Sequence, residues 1–119
     1  MIAVIFEVTP AYGQRSTYLD LAAQLHARLD RIDGFISIER FESLKLPGKL
    51  LSLSFWRDED AVKTWRNSPQ HRAAQVAGRH GVFADYRLRI GAIVRDYGMT
   101  ERDQAPQDSH AVHDTATAA

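Results

Sequence analysis

The chain has 119 residues, of which 45% are hydrophobic and 15 basic side chains balance 15 acidic ones. This is one domain with enough apolar mass for a core, and zero net charge leaves no electrostatic footprint for nucleic acid or an anionic membrane. Cysteine is absent, which excludes disulfides, thiolate ligands and a cysteine nucleophile, and no apolar run approaches the roughly 20 residues of a membrane span. The expected location is cytoplasmic.

In chain order, Ile2–Thr9 reads as a first strand, and Pro10-Ala11-Tyr12-Gly13 as a turn. STYLDLAAQLHARLDRI follows with Tyr18, Leu21, Ala22, Leu25, Leu29 and Ile32 at helical spacing. Ser16 is the expected N-cap and Asp33-Gly34 the stop. FISIERF alternates as a strand, with Ile36 and Ile38 on one face and Phe35, Ser37, Glu39 and Phe41 on the other. After a loop over 43–49, LLSLSFW alternates Leu51, Leu53 and Phe55 against Leu50, Ser52, Ser54 and Trp56.

Asp58-Glu59-Asp60 opens a helix whose apolar stripe is Ala61, Val62 and Trp65. Ser68-Pro69 ends it and starts another, because serine caps and proline is tolerated at the first helical position. That helix runs through His71 and Gln75 to about Gly78. In YRLRIGAIVRDY, Tyr86, Leu88, Ile90, Ala92 and Val94 share one face, opposite Arg87, Arg89 and Arg95. The arginines are expected to be solvated or to pair with Glu39 across strands.

Residues 99–119 hold few large apolar groups, so this C-terminal tail is expected to be largely extended or disordered, or to lie across a neighbouring subunit. His110 and His113 lack a third ligand there and read as a solvated pair.

The order β-α-β-β-α(α)-β predicts an α+β, ferredoxin-like protomer with a four-stranded antiparallel sheet and helices on one face. The other face is expected to carry Leu50 or Leu51, Phe35, Phe41 and Trp56. Groups of that size left in water point to a homodimer packed sheet to sheet.

The stretches MIAVIFEV, DGFISIERFES, LLSLSFWRDEDAVKTWRNSPQHRAAQVAGR and FADYRLRIGAIVRDYG together resemble the antibiotic biosynthesis monooxygenase family of dimeric α+β barrels over residues 1–98. The resemblance implies a small aromatic substrate and one of two chemistries. In the cofactor-free branch, quinols or anthrone-like polyphenols are oxidised by molecular oxygen. The residue six positions after the tryptophan then faces the pocket, a place held here by His71, as base or orienting donor beside Trp65. In the haem-degrading branch the tryptophan also matches Trp65. Glu7 and Gln75, however, stand where that branch carries an asparagine and the histidine ligand, so haem is the alternative cofactor and His71 its substitute ligand. A third reading is a binding module without turnover. The candidate site is thus His71, Trp65 and Glu7 for catalysis, with Trp65, Arg79 and Phe83 for substrate contact; no metal cluster, glycine-rich phosphate loop or GxSxG elbow is present in the sequence.

Overall fold

The computed structural model describes residues 1–114. Its elements are β1 (Ile2–Pro10), α1 (Arg15–Leu29), β2 (Phe35–Glu42), β3 (Leu50–Trp56), α2 (Glu59–Arg66), α3 (Pro69–Ala77), a wide helical turn over Gly78–Val82, and β4 (Phe83–Ala92). The strands form one antiparallel sheet in the order β2-β3-β1-β4. This is the ferredoxin-like α+β arrangement expected from the element order. In the single chain the sheet is open, with β2 and β4 at its edges.

Register decides what faces the helices. Ile2, Val4, Phe6 and Val8 of β1 lie opposite Trp56, Ser54, Ser52 and Leu50 of β3, and opposite Ala92, Ile90, Leu88 and Tyr86 of β4. Because strand side chains alternate, these even-numbered positions share one face. They meet α1, α2 and α3 in two apolar clusters. One joins Leu29, Trp56, Ala61, Val62 and Trp65, with Phe35 and Ile38 against it. The other joins Val8, Tyr18, Ala22 and Leu50, with Phe6 and Phe83 against it.

Three local expectations are corrected. Trp56, Leu50 and Phe35 lie under the helices, not on the outer face. β2 shifts register between Phe35 and Ser37, so Phe35 sits opposite Trp56 and Ile38 opposite Ser54. Such a bulge inserts one residue and re-aims those before it, and it leaves Ile36 53% exposed. The outer face carries Phe41 and Leu51, as expected, together with Ile5, Leu53 and Phe55. The start of α1 is capped by Gln14 without a side-chain bond, and Ser16 lies inside the helix. Arg89 pairs with Glu7 at 3.2 Å, since Glu39 lies on β2 at the far edge of the sheet from β4.

Past β4, Arg102 organises the chain. Its guanidinium donates to the Gly98 carbonyl at 3.2 Å, to Asp114 at 3.1 Å and to Ser109, and it lies over the Tyr97 ring at 5.4 Å. His110 is bonded to Asp114. Against the expectation of a largely extended or disordered tail, Gln107–Ser109 and His110–Asp114 are helical, and residues 115–119 lie outside the described residues.

The turn into β4 depends on two glycines. Gly81 has φ +119°, a conformation that side chains resist. A Cβ at Gly78 would sit 2.3 Å from the Phe83 ring, which also packs on Phe6, Tyr18 and Tyr86. Overpacking of this kind costs ~1–3 kcal/mol. Gly78→Ala is therefore expected to lower the unfolding free energy by that amount, read in urea titration as a lower midpoint at an unchanged m-value.

Candidate functional site

Between the two apolar clusters β3 carries Ser52 and Ser54, the small residues in the alternation Leu50, Ser52, Ser54, Trp56. They leave room above the sheet that a leucine would fill. The result is a cavity of about 370 Å³. Its floor is Val4, Phe6, Ser52 and Ser54, and its helical wall is Val62, Trp65, Arg66, His71, Ala74 and Gln75. Arg79, Phe83, Tyr86, Leu88 and Ile90 complete it on the β4 side. Leu88 is 48% exposed and Ile90 39%, so the cavity opens along this edge strand. The volume falls within the range of small-molecule sites, roughly 300–1,000 Å³.

The helical wall is shaped by its break. Asp58 caps α2 by accepting from the Ala61 amide at 2.9 Å. α2 ends at Arg66, and Ser68 caps α3 by accepting from the His71 amide at 3.3 Å, with Pro69 at the first helical position. The short connection turns α3 back over α2, which brings the His71 ring onto Trp65 at 4.9 Å between centroids. Trp65 in turn packs 6.5 Å from Trp56, and Trp56 meets Phe35 edge-on at 5.2 Å. The buried Trp56 indole donates to the Ser54 hydroxyl at 2.9 Å.

His71 is held at its other side by hydrogen bonds. Its Nδ1 is 2.8 Å from Gln75 Nε2. Gln75 Nε2 also donates to the Arg66 carbonyl at 3.3 Å, while Gln75 Oε1 accepts from Arg72 at 2.9 Å. Burial drives the His71 pKa below its ordinary value, helped by the positive charge of Arg72 and opposed by the Arg66 carbonyl. Burial thus favours the uncharged ring. On the β4 side, Arg79 donates to the Tyr86 hydroxyl at 2.8 Å.

Of the residues singled out in the sequence, Trp65, His71, Arg79 and Phe83 all line this cavity. Glu7 does not, which corrects its candidacy: odd-numbered positions of β1 point away from the helices. Its carboxylate there meets Arg89 at 3.2 Å and Lys49 at 3.5 Å. Sequence reasoning passed over Ser52, Ser54, Tyr86, Leu88 and Ile90 as site residues, although the parity of β3 and β4 already placed each set on one face. Gln75 meets His71 and Arg72 at helical spacing within α3, whereas its contact with the Arg66 carbonyl, nine residues away, is not legible in the linear pattern. Among the described residues no group of three or more His, Asp or Glu is arranged to hold a metal ion, and no helix is long and apolar enough to cross a membrane.

Comparison with known proteins places these features in context. Residues 1–77 match the family model for antibiotic biosynthesis monooxygenase. A Pyricularia oryzae protein named jasmonate monooxygenase ABM is 48% identical over 101 residues, which are 85% of this chain and 47% of that protein. Bacillus subtilis YqjZ is 29% identical over 62 residues, 52% of this chain and 53% of that protein. The chain thus spans about half the length of the curated relatives it matches. Among solved structures, Rv0793 from Mycobacterium tuberculosis superposes with a TM-score of 0.73 at 21% identity, covering 82% of this chain and 98% of that one. A candidate antibiotic biosynthesis monooxygenase from Deinococcus radiodurans gives 0.75 at 17% identity, covering 84% and 99%. At these identities the superpositions establish the fold.

The lowered His71 pKa has a stability consequence. Above the ordinary histidine value of 6.5 neither folded nor unfolded chain binds this proton. Below it the unfolded chain takes up a proton that the folded chain refuses, so stability falls as pH falls. Urea midpoints measured between about pH 7.5 and 5 are expected to decline for the wild type, and His71→Gln is expected to flatten that decline.

Proposed function

The chain belongs to the antibiotic biosynthesis monooxygenase family, and from that premise we propose that it oxidises a small aromatic quinol, anthrone-like or other polyphenolic molecule with molecular oxygen and without a resident cofactor. The observation that carries this reading is the cavity itself: apolar, of ligand size, with one uncharged imidazole stacked on Trp65 in its wall. An apolar enclosure favours electron release from an activated carbon to oxygen by keeping water away from the reacting atoms. His71 meets the substrate oxygen whose protonation state controls that release, Trp65 and Phe83 pack the rings, and Arg79 stands at the β4 side. For an anthrone-like substrate the methylene carbon becomes a carbonyl. One atom of O2 enters the new C=O, and the other leaves as water with the two hydrogens lost from carbon. The substrate supplies all the electrons.

The 48% identity to a protein named for jasmonate favours jasmonate as the second substrate to test. A haem-based reading has less support, because Gln75 is committed to His71, Arg72 and the Arg66 carbonyl. The half-exposed Phe41, with Ile5, Leu51, Leu53 and Phe55 around it, supports a homodimer joined through the outer sheet face.

Oxygen uptake with a panel of quinols, anthrones and jasmonate is the test. Turnover of at least one compound is expected, and His71→Ala is expected to lower kcat by roughly 100-fold or more. Uptake by none of them would overturn the oxygenase reading in favour of a binding module. A saturable, one-per-chain Soret shift on haemin titration, lost in His71→Ala, would overturn it in favour of haem. Light scattering is expected to give twice the chain mass, and Phe55→Glu to shift it toward the monomer.

A further inference from the structure

The hydrogen bonds behind His71 form a chain in which every link up to the imidazole has a forced direction. The Lys63 carbonyl can only accept, so the Asn67 amide nitrogen, 3.0 Å away, donates to it. The Asn67 side-chain oxygen then faces Arg72, which donates to it. A guanidinium has donors and no acceptor, so the Gln75 atom that Arg72 contacts at 2.9 Å is the amide oxygen. Gln75 Nε2 is therefore turned toward the Arg66 carbonyl and His71 Nδ1. An amide nitrogen donates, and Nδ1 can accept from it; the Arg66 carbonyl, which also acts on the ring, competes for a ring proton. With Nδ1 accepting, the neutral ring carries its proton on Nε2.

Orientation of an amide is otherwise ambiguous. Here both ends of the Gln75 amide are tied to groups of a single polarity, a cation on one side and a carbonyl on the other. The Ser68 cap and the Trp65 stack hold the ring in place while this is done. None of the linking atoms belongs to a group that titrates near neutrality except the imidazole itself.

We infer that Gln75 is a positioning residue that keeps the His71 proton on Nε2, so that His71 meets its ligand as a hydrogen-bond donor and not as a base. This rests on the reading of the cavity as the substrate site. The ligand class it selects is one that offers an acceptor oxygen, a carbonyl or an ionised phenol or enol, at the His71 position. The substrate's acidic proton has passed to solvent in that case, and the Nε2–H stabilises the oxyanion left behind. Oxygen-bearing ring compounds fit, and purely hydrocarbon ring systems do not.

The tautomer is read directly, without activity, by long-range 1H–15N correlation of protein labelled at histidine, at a pH where the ring is neutral. The His71 signals are assigned by their loss in His71→Gln. The wild type is expected to show the Nε2–H pattern alone. Gln75→Glu presents acceptors only, so the proton is expected on Nδ1 or on both nitrogens. Gln75→Met leaves the Arg66 carbonyl to draw the proton, and a new Nδ1–H population is expected. In turnover, His71→Gln places an amide N–H near the Nε2 position and is expected to retain at least ~10-fold more kcat than His71→Ala, as restoring one oxyanion donor does. An Nδ1–H wild type, or an unchanged pattern in both Gln75 variants, would sink the inference while leaving the oxygenase reading intact. Lack of turnover on every substrate would sink the oxygenase reading while leaving the tautomer result standing.

Discussion

Everything in this site hangs on the chain break at Ser68-Pro69. Proline cannot continue α2 without a clash and a lost hydrogen bond, and the Ser68 hydroxyl supplies the acceptor that a new helix needs. A continuous helix would advance about 100° and about 1.5 Å per residue, so six residues would leave Trp65 and His71 roughly 120° apart around the axis and about 9 Å apart along it. The break brings their rings together at 4.9 Å between centroids, tilted by 34°. Trp65, anchored below on Trp56, thereby becomes both core and cavity wall.

The cavity is the complement of that wall. Sheet and helices of this size normally close on each other at the density of an organic crystal. Here closure happens at either end, where Trp56 and Leu50 are buried, and fails between them, where β3 carries serines. Their hydroxyls are not stranded by burial without purpose: Ser54 accepts the Trp56 indole proton, which would otherwise be an expensive unpaired donor. The same residue thus makes space and satisfies the ring that bounds it.

Electrostatics then decide what the imidazole is. Burial keeps it uncharged, and a neutral imidazole has one donor and one acceptor. The difference between a base and a donor is which nitrogen carries the proton, and that is set by Gln75 in the cavity wall, itself oriented by Arg72 and Asn67 outside it. Asn67 and Arg72 need not touch a substrate to have this effect.

The element order, the alternation of each central strand, the break at Ser68-Pro69 and the membership of Trp65, His71, Arg79 and Phe83 in one neighbourhood were legible in the sequence, because alternation, helical periodicity and capping are local physics; which face of β3 lies under the helices was not, and Trp56 was expected on the outer one. Glu7 was misjudged because a lone carboxylate on a strand carries no label for which face is covered, and only register with β3 and β4 assigns it to the outer side. Phe35 went astray through a one-residue bulge, which depends on pairing with β3. The cavity belongs to the tertiary structure, as a gap between two packed layers. The polarity of His71 is divided: its contact with Gln75, and that of Gln75 with Arg72, lie one turn apart within α3, while the links to Asn67 and the Arg66 carbonyl cross from α3 to the end of α2.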